Sequence, residues 1–208
     1  MYNKWRKNKT EESPMAKKSN RNTRGRIVSA AWKLFYEQGY EDTTVEEIIE
    51  LSGTSKGSFY HYFDGKDALL STLSSLFDEK YEELTGLLTP EMTAMEQLLF
   101  LNRELFHMIE DSISLDLLAR LYSTQLTTNG EKHLLDHNRI YYKLLRKIIA
   151  KGQAEGQLSS RSNVNEMVKL YALCERALLY DWCLCAGEYA LTEYSAKVLP
   201  GFLSSFLP

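Results

Sequence analysis

The stretch TTVEEIIELSGTSKGSFYHYFDGKDALL, residues 43–70, decides the fold. Thr44 followed three residues later by Glu47 is a capping box, in which hydroxyl and carboxylate satisfy backbone donors at a helix start. It opens a short helix that ends before Gly53, whose missing Cβ permits the left-handed conformation a chain reversal needs. Ser55 caps a second, very short helix reaching about Tyr62. Two short helices joined by the tight turn at 51–54 have helix-turn-helix geometry. The run DGKD at 64–67 then starts a long helix with Leu69, Leu73, Leu76, Phe77 and Leu84 on its apolar face, continuing to Thr89 and Pro90.

Upstream, Ile27, Ala30, Ala31, Leu34 and Phe35 recur at helical spacing, with Asn22 or Thr23 as N-cap and Gly39 as the stop. Downstream of Pro90 the elements lengthen. Met95, Leu98, Leu99, Leu105, Phe106 and Ile109 mark a fifth helix, and Leu117, Leu118, Leu121 and Tyr122 a sixth. Leu134, Tyr141, Leu144, Leu145 and Ile148 mark a seventh. An eighth, about 165–187, is apolar on most of its circumference and must be covered on several sides. A ninth starts at Thr192 and bends at Pro200. With no sustained strand-like alternation, the chain reads as all-α with about nine helices. Three segments are expected: a flexible basic extension (1–21), a helix-turn-helix domain (22–67) and a ligand-binding and dimerisation domain (68–208).

The chain has 208 residues, 44% of them hydrophobic and 25% charged, which excludes collagen-like and wholly disordered readings. A polar, basic start without an apolar run behind it, and no segment long and apolar enough for a bilayer, predict a cytoplasmic protein with no membrane partner. Met15 offers an alternative start, which would make residues 1–14 extraneous. The net charge of −3 hides an asymmetry: residues 1–26 carry +7 and residues 27–208 carry −10. A basic end on an acidic body suits a protein that docks one end on phosphate, although a solvated tail has the same composition.

The small residues Gly57 and Ser58 let the second short helix approach a groove floor, where Lys56, Ser58 and His61 offer donors to base edges or phosphate. Tyr60 and Tyr62 can reach phosphate through their hydroxyls, whereas Phe59 and Phe63 read as core. Lys66, at a helix start, can clamp a phosphate beside free backbone N–H groups, and Thr44 has the same option. The competing reading is a helical hairpin with these side chains merely exposed.

Residues 43–70 closely resemble the DNA-binding signature of the TetR family of bacterial transcriptional repressors. Thr44, Ile48, Gly53, Ser55, Gly57, Tyr60, Tyr62, Phe63, Lys66 and Leu69 all fall where that signature has them. The strong resemblance covers about residues 22–75, and the remainder matches in helix count, length and the style of the last two helices. It implies DNA contact by the Tyr60 position, a double-stranded operator as partner, and a helical body that binds a small effector. A helix-turn-helix this short offers few base contacts, so a homodimer paired through the apolar faces of the eighth and ninth helices is expected. Phe106, Met108, Tyr122, Tyr141, Tyr171, Cys174 and Trp182 are the candidates to line an apolar pocket, and they equally fit plain core. The function expected is a ligand-responsive repressor released from a palindromic operator. A small-molecule-binding protein or enzyme with a vestigial DNA-binding domain is the alternative.

No catalytic motif stands out, so no enzyme, catalytic residue or cofactor is expected. His133 and His137 read as i, i+4 neighbours on the seventh helix without a third ligand, so no metal is expected. Cys174, Cys183 and Cys185 read as reduced core thiols. Glu175 and Arg176 interrupt the eighth helix as pocket groups, interface ions or exposed charges.

Overall fold

The computed structural model describes residues 23–127 and 132–208. The basic extension expected at 1–21 lies outside these residues. Ten α-helices and two 3₁₀ turns occur among the described residues, with no strand. The chain divides into two compact units, one ending at Leu73 and the other starting at Ser74.

In the head, α1 (Thr23–Glu37) buries Ile27, Ala30, Ala31 and Phe35 and packs on α2 (Val45–Ser52) and α3 (Lys56–Tyr62). The capping box forms as read: the Thr44 hydroxyl accepts from the Glu47 N–H at 3.2 Å, and Glu47 Oε2 accepts from the Thr44 N–H at 2.7 Å. These bonds hold the Glu47 carboxyl below the usual carboxylate range. Gly53 closes α2 in the left-handed region, φ 60°, where a Cβ is disfavoured. Ser55 caps α3, and Phe59 and Phe63 are core.

The long fourth helix of the sequence reading is two helices. α4 (Lys66–Leu70) stops, and α5 (Leu73–Thr85) starts after a turn at Ser71 and Thr72. The Ser71 hydroxyl donates to the Ala68 carbonyl at 2.7 Å and the Thr72 hydroxyl to the Leu69 carbonyl at 2.6 Å. Such back-bonding competes with the regular i to i−4 ladder. The Trp32 indole N–H then pins Thr72 Oγ1 at 2.8 Å. Gly65 precedes α4 without a side-chain cap.

The body holds α6 (Ala94–Ser112), α7 (Leu115–Thr127), α8 (Ile140–Ala154), α9 (Val164–Leu184) and α10 (Leu191–Leu203). α6 starts on a second capping box, Thr93 with Glu96, and α9 on Asn163, whose side chain accepts from the Glu166 N–H. α6 packs on α8 and α10, and α9 packs on α7, α8 and α10. The expected seventh helix is shorter at its start: His133–Leu135 is a separate 3₁₀ turn, and Asp136 Oδ1 accepts the Asn138 N–H at 2.8 Å. His133 and His137 therefore share no helix face. Among the described residues no group of three His, Cys, Asp or Glu side chains is arranged to hold a metal ion. Cys174 is core, whereas Cys183 and Cys185 are half-buried rather than core.

Gly152 marks a close approach of α8 to its neighbours. A Cβ there would stand 2.6 Å from the Ala94 Cβ and 2.9 Å from Leu158 side-chain atoms. Alanine is the better helix former by about 1 kcal/mol, but the Ala94 methyl is anchored to backbone and cannot yield. Gly152→Ala is expected to lower stability by about 1–3 kcal/mol, the cost of overpacking, read as a fall in melting temperature.

Candidate nucleic-acid interface and effector compartment

Short helix α3 carries most of the expected DNA-facing side chains outward. Lys56, Gly57, His61, Tyr60 and Tyr62 are exposed, the two tyrosines by 46% and 42%. The Lys56 ammonium lies 3.5 Å from Glu46 Oε1 and 6.0 Å from the Tyr60 ring centroid, a solvent-exposed pair of little energetic weight. The His61 ring meets Tyr62 edge-on at 4.8 Å. Ser55 is occupied as a cap, accepting the Ser58 N–H at 3.1 Å with the two hydroxyls 2.9 Å apart. A Cβ built on Gly57 would meet only Ser55 Oγ at 3.9 Å, so nothing among the described residues requires glycine there.

Thr44 and Lys66 both make hydrogen bonds within the head itself. The Thr44 hydroxyl and N–H are both spent on Glu47. Lys66 donates to the carbonyls of Tyr40 at 2.6 Å, Thr43 at 2.8 Å and Glu41 at 3.3 Å, with the Tyr40 ring centroid 4.2 Å away. Its three N–H bonds have three acceptors, so it braces the 40–43 loop that leads into α2. Asp67 reinforces the brace by accepting from the Tyr40 hydroxyl. Lys66→Ala is expected to cost about 1.5–3 kcal/mol of stability, as for charge-assisted hydrogen bonds. Its DNA affinity should fall with an unchanged salt slope, whereas loss of a phosphate contact would reduce the slope by about one.

The body's aromatic residues are mostly core with polar tips satisfied. Phe106, Tyr171, Cys174 and Trp182 are buried, the Tyr171 hydroxyl donates to the Leu98 carbonyl at 2.8 Å, and the Trp182 N–H donates to the Tyr189 carbonyl at 2.9 Å. Burial pushes the Cys174 thiol up to about 11. Of the expected pocket residues, Tyr122 and Tyr141 alone line a small, partly open cavity with a volume of only about 50 Å³. That is well below the roughly 300 Å³ of a small-ligand site. An open groove of about 650 Å³ lies elsewhere in the body, between α6 and α10, with Leu99, Phe100, Asn102, Ser195 and Pro200 among its walls.

Glu175 is a buried core group, 4% exposed. It accepts from Asn102 Nδ2 at 2.9 Å and the Tyr141 hydroxyl at 2.6 Å, while Asn102 Oδ1 accepts from the Ser195 hydroxyl at 2.5 Å. Burial raises its carboxyl above the usual range, against the pull of these donors and of the Arg176 charge. Burial and then the Glu175 charge push Tyr141 and Tyr171 well above the usual phenol value. Arg176 is half-buried and donates to the Tyr142 hydroxyl at 3.2 Å. Sequence reasoning did not single out Asn102, Ser195, Asp78 or Arg139; their only signal is a polar residue interrupting or bounding an apolar helix.

A three-helix head whose outermost short helix presents small, aromatic and basic side chains, followed by a helical body, defines the helix-turn-helix class of DNA-binding proteins. Residues 27–73 match the family described as bacterial regulatory proteins, tetR family. The head is 36% identical over 62 residues to the HTH-type transcriptional regulator QacR of Staphylococcus aureus, covering 30% of this chain and 33% of that one. The curated regulators matched in the head are spanned over about a third or less of their length, 29% and 22% in two others. A longer alignment, 23% identical over 177 residues, joins 83% of this chain to 90% of the fatty acid metabolism regulator protein of Bacillus subtilis. Among solved structures, FadR of Thermus thermophilus, a TetR-family repressor in complex with lauroyl-CoA, has TM-score 0.72 and 26% identity over 89% of this chain and 95% of that one. No helix among the described residues is long and apolar enough to cross a membrane.

Proposed function

We propose that the protein is a cytoplasmic, sequence-specific transcriptional repressor that binds a palindromic DNA operator as a homodimer and is released by an apolar small molecule. The observation that carries this reading is the outward face of α3, with its two exposed tyrosines and a glycine that nothing among the described residues requires. A helix of seven residues reaches few base edges, so two copies related by two-fold symmetry are required for useful affinity. The exposed face of α9 supports that pairing: Leu170, Leu173, Ala177, Tyr180 and Leu184 follow one another at spacings of three and four, the stripe of a helix seam. Tyr194 of α10 is exposed as well.

The lauroyl-CoA held by the Thermus repressor supports an effector with an acyl chain. Such a ligand must enlarge the small cavity of this body. α5 begins at the residue that ends the head, so its displacement is the route from effector to DNA. Coupling of this kind is reciprocal: the factor by which effector weakens operator binding is the factor by which operator weakens effector binding.

Selection of bound duplexes from a randomised pool should enrich one two-fold-symmetric sequence. Gly57→Leu should keep or raise thermal stability, since leucine is the better helix former, yet bind that sequence at least about tenfold more weakly because the side chain fills the groove-facing space. No enrichment, or equal binding by Gly57→Leu, would contradict the assignment.

A further inference from the structure

Arg139, at the start of α8, has a side chain only 9% exposed and lines the small, partly open cavity. Its Nε donates to Asp78 Oδ2 at 3.1 Å, and its NH2 donates to Asp78 Oδ1 and to the Ser74 carbonyl, both at 3.0 Å. Among the described residues NH1 has no acceptor. A buried guanidinium edge with open donors is costly unless water or a ligand completes it. Asp78 and Ser74 both belong to the first two turns of α5, so Arg139 is a tie between α8 and the helix that follows the head, beside the Tyr141 N–H donated to Asp78 Oδ1 at 3.4 Å and the Tyr81–Tyr141 ring pair at 5.0 Å.

The rest of the cavity wall is mostly hydrocarbon, with the Tyr81 and Tyr122 rings among it. Phe77, Leu105, Leu121 and Leu179 supply hydrocarbon, and Glu175, across the same space, is held by Asn102 and Tyr141. Arg176 adds a second guanidinium, whose Nε and NH2 have no acceptor among the described residues. A volume of about 50 Å³ is little more than one water, at roughly 30 Å³ of liquid each, which suits a planar carboxylate better than a phosphate. A carboxylate is also what this guanidinium already binds, in the two-pronged geometry the pair favours.

We propose that the effector cavity selects an amphiphilic free carboxylic acid, whose carboxylate takes Arg139 from Asp78 and thereby unties α5 from α8, while its tail enters among Phe77, Leu105, Leu121 and Leu179. The inference rests on the effector reading above and narrows it to the free acid rather than its thioester. No covalent step is involved; one ion pair is exchanged for another.

The test is calorimetric titration of the full chain with sodium laurate, 1-dodecanol and lauroyl-CoA, each below its micelle concentration. Laurate is expected to bind at least tenfold more tightly than dodecanol. Asp78→Asn removes the competing carboxylate and should raise laurate affinity at least threefold while leaving dodecanol unchanged. Arg139→Met should bring laurate down to the level of dodecanol; if that variant does not fold, Asp78→Asn still decides. Equal affinity of wild type for laurate and dodecanol, or weaker laurate binding by Asp78→Asn, overturns the proposal. Binding of lauroyl-CoA without laurate preference overturns it and leaves the effector reading standing, whereas failure of all three amphiphiles to bind removes both.

Discussion

Replacing Leu173 and Leu184 together with glutamate is expected to leave a folded monomer at micromolar concentration and to weaken operator binding on the order of a hundredfold. Both side chains lie on the open face of α9, 53% and 66% exposed, so a carboxylate there costs the isolated chain little. In a two-fold pair each glutamate would be buried against its symmetry mates, and like charges removed from water repel strongly. Joining two weak half-site contacts gains about two to four orders of magnitude in affinity, and a monomer forfeits that gain. Sedimentation equilibrium and gel shift on one preparation, with circular dichroism showing unchanged helix content, make the check. A variant that stays dimeric would place the interface elsewhere.

Glu175→Ala is expected to produce the largest loss of stability, about 3 kcal/mol or more, because it removes the buried acceptor of Asn102 Nδ2 and the Tyr141 hydroxyl. That is a large share of the 5–15 kcal/mol typical of a domain, and denaturant unfolding monitored by far-ultraviolet dichroism will show it. The isosteric Glu175→Gln separates charge from packing. Burial raises the Glu175 carboxyl above its unfolded value, so its contribution to stability is fully present below the unfolded value of about 4.3 and is lost as pH rises through the folded one. The glutamine variant lacks that loss. Relative to wild type it should therefore gain stability as pH rises from 4 toward neutrality, and a difference independent of pH would show that the carboxyl titrates normally in the fold.

The head was legible in the sequence because its rules are local. The Thr44–Glu47 box, the left-handed Gly53, the Ser55 cap and the spacing of Ile27, Ala30, Ala31 and Phe35 each involve residues within one or two turns of one another, where backbone donors and steric limits leave few solutions. The same locality made α6 to α10 recognisable from apolar periodicity. What those rules miss begins where a side chain has partners far along the chain. Lys66 reads as a free cation at a helix start, yet its acceptors lie 23 to 26 residues upstream in a loop whose path depends on how α1 and α2 meet. Serine and threonine at 71 and 72 are compatible with a helix until Trp32 pins Thr72 from 40 residues away. Tyr171, Phe106 and Trp182 have the chemistry of a pocket wall, and only close packing of α6, α7, α8 and α9 makes them core. Glu175 meets Asn102 across 73 residues and Arg139 meets Asp78 across 61. Buried polar groups must find partners wherever the fold has put them, so the hydrogen bonds that tie α5 to α8, and the volume left between them, were decided by tertiary structure.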